Sequence, residues 1–247
     1  MIYDGTVAHD NGEASEDRQI GTSAFSDNSD DNAYVGYMYG EPSSITYEAT
    51  HKNTNDSLIK KYIDDWFYQN ILQAEYVQFL TDNIFCNDRT VSKDIPSGYT
   101  NLGYGTSVTA YRWLNGPWNS EGANNTQLIC LQKQDAFTMD NILIGNGSLT
   151  YPIGILSEDE IVIAGGWNSS NSGYYLYTGY GWWSLSPYHH QFYRSSSNSS
   201  LRYVSELGNA NGYYNVKNAK GVRPVINLKP NSLKFGAGTM DDPYTVE

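Results

Sequence analysis

The chain has 247 residues, 39% of them apolar and only 17% charged, with a net charge of −12. That apolar share supplies a packed core, and 22 Tyr and 6 Trp exclude a disordered chain, which would lack aromatics. An acidic balance of this size repels phosphate backbones and anionic lipid, so nucleic acid is not an expected partner, although the charge also serves solubility alone.

Many aromatics with few charges is the composition of a surface that binds through contact area and neutral hydrogen bonds. No run of eighteen apolar residues is present, so direct membrane insertion is not expected. The start, Met1-Ile2-Tyr3-Asp4-Gly5, lacks the charged and apolar blocks of a signal peptide and reads as a strand entering a turn. The expectation is a single domain, 1–247, cut from a longer exported protein whose signal or anchor lies upstream.

Residues 1–33 carry eight Asp or Glu against one Arg and read as loops around short strands. Two acid-amide clusters, Asp27-Asn28-Ser29-Asp30-Asp31-Asn32 and Asn53-Thr54-Asn55-Asp56, have calcium-ligand chemistry without the spacing of an EF-hand loop. Calcium is therefore carried only as a candidate, and no other cofactor is expected. Tyr34-Val35-Gly36-Tyr37-Met38-Tyr39 is rich in β-formers and predicts a strand.

The strongest helix runs from Ser57 to Leu72, capped by Asp56 or Ser57. Leu58, Ile59, Tyr62, Ile63, Trp66, Phe67 and Ile71 form one apolar stripe, with Lys60, Lys61, Asp64 and Asp65 mostly opposite. A short helix is expected near Ala74 to Leu80, and the stretch from Phe85 to Leu128 reads as irregular. Cys86 and Cys130 fit one disulfide of an exported protein, with two buried thiols as the alternative.

Ser157-Glu158-Asp159-Glu160 is a capping box that opens a short helix, ended by Gly165-Gly166. From Asn168 to Asn218, 32 of 51 residues are Ser, Asn, Tyr or Gly and four are charged. A linker of that composition would not carry the interspersed Trp, Tyr and Phe, so the stretch reads as a loop-rich surface. Gly221-Val222-Arg223-Pro224-Val225-Ile226-Asn227-Leu228 predicts a strand, followed by a last short one near Leu233 to Phe235.

Three patterns occur in order: Leu156 to Glu160 running to Ala164-Gly165-Gly166-Trp167, then Gly181-Trp182-Trp183-Ser184-Leu185-Ser186-Pro187, then Gly221-Val222-Arg223-Pro224-Val225. This order resembles the bacterial branch of the C-type-lectin-like fold. That branch includes formylglycine-generating-enzyme-like domains and the variable proteins of diversity-generating retroelements. With residues 53–57, 85–89, 174–179 and 221–228, the chain is also similar to exported surface proteins of Firmicutes over nearly its whole length.

The resemblance implies an α+β domain with two helices, a small twisted antiparallel sheet and long irregular loops. It also implies a ligand surface in the region from Tyr188 to Asn215, and a structural Arg223. The activity of formylglycine-generating enzymes is not implied, because no cysteine follows Cys130. The EPN and WND sugar signatures of animal lectins are also absent.

The candidate ligand-binding residues are Tyr188, His189, Phe192, Tyr193, Arg194, Tyr203, Tyr213 and Tyr214, large side chains with polar tips. Ordinary loop packing is the alternative for each. Trp182 joins them as a stacking surface for sugar rings, on the expectation that strand alternation buries one of Trp182 and Trp183 and leaves the other partly exposed. His189-His190 points to opposite faces and has no carboxylate nearby, so a surface contact is favoured over zinc.

The leading expectation is a cell-surface ligand-binding or adhesion domain, recognising protein or glycan through a loop-rich C-terminal half, and not an enzyme. A self-associating subunit of a pilus-like or envelope assembly is the second reading. A glycan-acting enzyme is the third, and it requires paired carboxylates in a cleft.

Overall fold

The computed structural model describes residues 1–114, 126–167, 169–193, 196–210, 212–239 and 241–246. The chain is α+β, with three short α-helices and one main sheet among the described residues. The helices are α1 (Tyr47–Thr50), α2 (Leu58–Phe67) and α3 (Glu158–Ile163). The sheet strands are β1 (Thr22–Ala24), β2 (Thr109–Ala110), β3 (Trp182–Tyr193), β4 (Ser196–Val204), β5 (Gly212–Asn215) and β6 (Ala219–Gly221). Their order is β1-β6-β3-β4-β5, with β2 also paired to β3. The sheet is mixed and not purely antiparallel, because β6 runs parallel to β3 at Gly221 and Trp182.

The stretch read as loop-rich is where the longest strands lie. β3 and β4 form a hairpin ladder running from Trp182 opposite Val204 to Tyr193 opposite Ser196. Ser and Asn are weak strand formers, but here Ser184, Ser186, Ser199 and Ser200 are buried together with the ladder's apolar side chains, and tertiary context overrides propensity.

Alternation sends Trp182 and Val204 to one face, and Trp183 and Tyr203 to the other. Each face meets its own core. Trp183, Leu185 and Leu201 pack with Phe25, Tyr37, Ile59, Ile63, Phe67, Phe85, Phe137 and Ile153. Trp182 and Val204 pack with Trp113, Ile161, Tyr174 and Leu176. Both tryptophans are therefore fully buried, and the expected exposed partner does not exist.

α2 starts where its sequence says, with the Ser57 hydroxyl accepting from the Lys60 amide. Ile59, Ile63 and Phe67, four residues apart, are its buried stripe. The helix continues to Leu72 as a wider π-helical turn (Tyr68–Leu72), and a 3-10 turn (Tyr76–Phe79) replaces the second helix. Lys60 is not on a solvent face: it is fully buried, and its ammonium lies 2.6 Å from Asp64 and 3.3 Å from Asp56.

The capping box of α3 forms in full, with Ser157 and Glu160 each accepting from the other's backbone amide. Gly165 ends the helix at φ +112°, a conformation that favours glycine. Tyr34 to Tyr39 is not one strand. Asn32–Val35 is a 3-10 turn, because Asp31 caps it by accepting from Ala33, and within the stretch only Met38–Tyr39 pairs as a strand.

Outside the hairpin, buried polar side chains hold the chain together. Asn87 accepts from the Tyr37 amide and donates to the carbonyls of Leu185 and Val35. Arg89, fully buried, donates to Asp135, the Met38 carbonyl and Asn53. Arg223 donates to Asp4 and to the carbonyls of Tyr3 and Leu176, so its structural role holds. Cys86 and Cys130 are joined as a disulfide.

Candidate ligand-binding face

The site is built by an irregularity in the hairpin. Pro187 faces Leu201 and His189 faces Ser200, so Tyr188 is an extra residue in β3. Such a bulge re-aims neighbouring side chains. Here Tyr188 and His189 lie against each other at 4.5 Å, and both reach Tyr213 of β5, which pairs with Arg202 of β4. The Tyr188 and Tyr213 rings stack at 4.0 Å with 15° between their planes.

The Arg202 guanidinium lies 4.6 Å from the Tyr188 ring centre and donates to the carbonyls of Trp113 and Leu114. Tyr99 extends the group by donating from its hydroxyl to Gln191 at 3.4 Å. Tyr213 is 49% exposed and Tyr188 is half-buried, so the stack presents an edge to solvent on a buried cationic support.

Burial is the main electrostatic influence. It raises the Tyr188 and Tyr99 phenols and lowers Arg202. Burial, followed by His190 and Arg202, pushes His189 down to about 3, and burial pushes His190 down to about 4. Both imidazoles are therefore neutral at physiological pH.

The remaining expected residues are dispersed. Tyr203 and Tyr214 lie on the opposite face at 5.9 Å, with the Lys220 ammonium 4.2 and 4.7 Å from their ring centres and 3.0 Å from Glu206. Phe192 is exposed near the end of the hairpin. Trp182 is sealed in the second core, so a ligand does not reach it, and His189 is buried and packs inside the face rather than forming a surface contact. Arg194 and the side chain of Tyr193 lie outside the described residues.

Tyr99, Gln191 and Arg202 were not legible as site residues. Only the register of β4 and β5 brings Arg202 under the tyrosines, and Tyr99 arrives from a distant turn. His190 serves structure: its Nδ1 lies 2.8 Å from the Ser199 hydroxyl, which donates to the Asp31 carbonyl.

A cleft of about 250 Å³ beside the disulfide is lined by Asp88, Arg112, Asp159 and Glu160. Its carboxylates are all engaged. Arg112 bridges Asp88 and Asp159, and Asp159 also accepts from the Trp113 indole and the Gln127 amide. Glu160 accepts from the Ser157 amide and hydroxyl.

In the candidate calcium clusters, Asp31 accepts from the Ala33 and Ser43 amides, and Asn32 donates to the Gly105 and Ser107 carbonyls. Among the described residues, no group of three or more His, Cys, Asp or Glu is arranged to hold a metal ion, and no helix is long and apolar enough to cross a membrane.

Comparison with known proteins finds no family model that matches the chain, no similar curated protein and no similar solved structure.

Proposed function

We propose that this chain is a non-catalytic recognition domain acting outside the cytosol, on a C-type-lectin-like scaffold, and that a glycan lies across the face built by Tyr188, Tyr213, Tyr99 and Gln191. One observation carries the reading: the Tyr188–Tyr213 stack is preformed and held from below by Arg202. A rigid aromatic edge with hydroxyl and amide groups around it offers a sugar ring apolar contact and neutral hydrogen bonds at little entropic cost. The low charge and the Cys86–Cys130 bridge agree with an oxidising, extracellular setting. A non-catalytic role is favoured because the carboxylates of the disulfide cleft are each committed to arginine, indole, hydroxyl or backbone partners.

The test is binding of the purified domain and its Tyr213→Ala variant to glycan and protein arrays. Glycan binding that drops at least tenfold in the variant supports the reading. Equal binding by both proteins, or capture of protein ligands alone, overturns it. Concentration-dependent self-association that buries residues 188–215 would favour the assembly-subunit reading instead.

A further inference from the structure

Ahead of β1 the chain makes a loop that holds His9 between two carboxylates. The His9 Nδ1 lies 3.0 Å from Glu13 and its Nε2 3.2 Å from Asp17, and the side chain is 4% exposed. Gly5 closes over the ring at φ +111°, where a Cβ would stand 2.5 Å from the Asp17 carboxylate and 2.7 Å from His9 Nε2. The same two carboxylates gather the main chain of the loop. Asp17 accepts from the Thr6 and Val7 amides, and Glu13 accepts from the Asp10 amide. Asp17 itself is fixed in a 3-10 turn (Glu16–Arg18) that Ser15 caps and that Arg18 ties to Asp4 and to the Tyr175 carbonyl.

A neutral imidazole has one N–H and one bare nitrogen. Between two carboxylates, the bare nitrogen would face an oxygen lone pair with no proton between them. Only the imidazolium donates to both. Arg18 opposes that charge but is itself paired with Asp4. The Tyr3 phenol faces Asp17, and the segment packed beneath, residues 171–179, contributes tyrosines and no charged residue. The carboxylates prevail: the Glu13 hydrogen bond, against burial and with help from Asp17, holds His9 above its ordinary 6.5.

The loop so gathered lies on the start of the Tyr-rich stretch. The Asn11 side chain donates to the Gly173 carbonyl at 2.8 Å, and a Cβ at Gly12 would stand 2.9 Å from the Ser172 carbonyl oxygen. Tyr174 and Leu176, which follow, belong to the second core.

We propose that residues 6–13 are a pH-sensitive strap, closed over Ser172 and Gly173 while His9 is an imidazolium and opening when the ring loses its proton. Opening returns His9 to 6.5 and closing holds it higher. The contribution to the closed state is therefore complete below 6.5 and is lost as pH rises through the folded value. Glu13 is held low by His9 and the Asp10 amide, and Asp17 by the Thr6 amide and His9, so both stay ionised into the acidic range and keep the strap closed there. The proposal does not depend on the reading of the Tyr188–Tyr213 face.

The experiment is a nuclear magnetic resonance titration of the intact chain. It follows the His9 ring and the exchange of the Thr6, Val7 and Asp10 amides with water, corrected for the intrinsic dependence of exchange on pH. His9 should titrate above 6.5. Protection of the three amides should fall across that titration by a factor of about ten for every pH unit that separates the measured value from 6.5. Amides of the β3–β4 ladder should keep their protection. His9→Gln retains one donor and does not titrate, so it should abolish the pH dependence. Gly5→Ala, which wedges the ring from its carboxylates, should open the strap at every pH and bring His9 back toward 6.5. A His9 value at or below 6.5, or protection that does not change with its titration, would overturn the proposal. So would an unchanged pH dependence in His9→Gln, which would assign the effect to the Met1 amine or Glu158. The first two readouts use the unaltered chain, so the proposal stays testable if a variant does not fold.

Discussion

The β3–β4 hairpin and the first 150 residues solve the same problem in opposite ways. The hairpin satisfies its backbone mainly through a long ladder, interrupted between Trp183 and His189, and buries side chains on both faces. Apart from α2, the described residues of the earlier part form two- and three-residue strands and short helical turns, so many of its backbone groups need side-chain partners. Asn32, Asn87 and Arg89 supply them, each joining segments distant in sequence. Low regular-structure content is therefore compatible with a rigid scaffold when buried amides and guanidinium groups replace the ladder.

The largest effect should come from breaking that polar framework. Arg89→Ala leaves Asp135 buried without its cation and removes donors to Met38 and Asn53. The expected loss is roughly 3–5 kcal/mol, measured by chemical denaturation. Native-state hydrogen exchange should show protection falling more in residues 30–140 than in the hairpin. An even loss would mean that the two regions open as one unit.

Removing the disulfide tests the same region covalently. The bridge spans 44 residues, and the Cys86→Ser/Cys130→Ser double variant should lose about 4 kcal/mol by loop-closure entropy. Denaturation with and without reductant measures it, and a loss well under half of that would mean the polar network already restrains the loop.

The third test uses pH. Burial pushes the Glu158 carboxyl up to about 8 from an ordinary 4.5. Between those values the unfolded chain releases a proton that the folded chain keeps, so stability falls as pH rises toward 8. His189 and His190, pushed down to about 3 and 4, act in reverse: their contribution is complete above 6.5 and is lost as pH falls toward those values. Thermal stability should peak near pH 6.5. Glu158→Gln should flatten the alkaline side and stabilise the protein at pH 8 by on the order of a few kcal/mol. An unchanged slope would refute the assignment.

The smallest effect on stability belongs to the binding face. Tyr213 is half exposed, so Tyr213→Ala should cost about 1 kcal/mol through the lost stack, while ligand binding should drop far more. A stability loss several times larger would make Tyr213 a packing residue.

Local patterns determined local features. The Ser57 and Ser157 caps, the Ile59-Ile63-Phe67 stripe and the Gly165 stop were all readable, because each depends on neighbours within a few residues. Composition also singled out residues 168–218, but as loops. The long ladder there depends on two cores, one on each face of β3 and β4, and no window of sequence records which distant residues will cover a strand. Register, the bulge at Tyr188 and the arrival of Arg202 beneath the tyrosines arose only in the tertiary structure. So did the burial of Lys60, Arg89 and both tryptophans, since a charged or aromatic side chain is buried only when partners far along the chain converge on it.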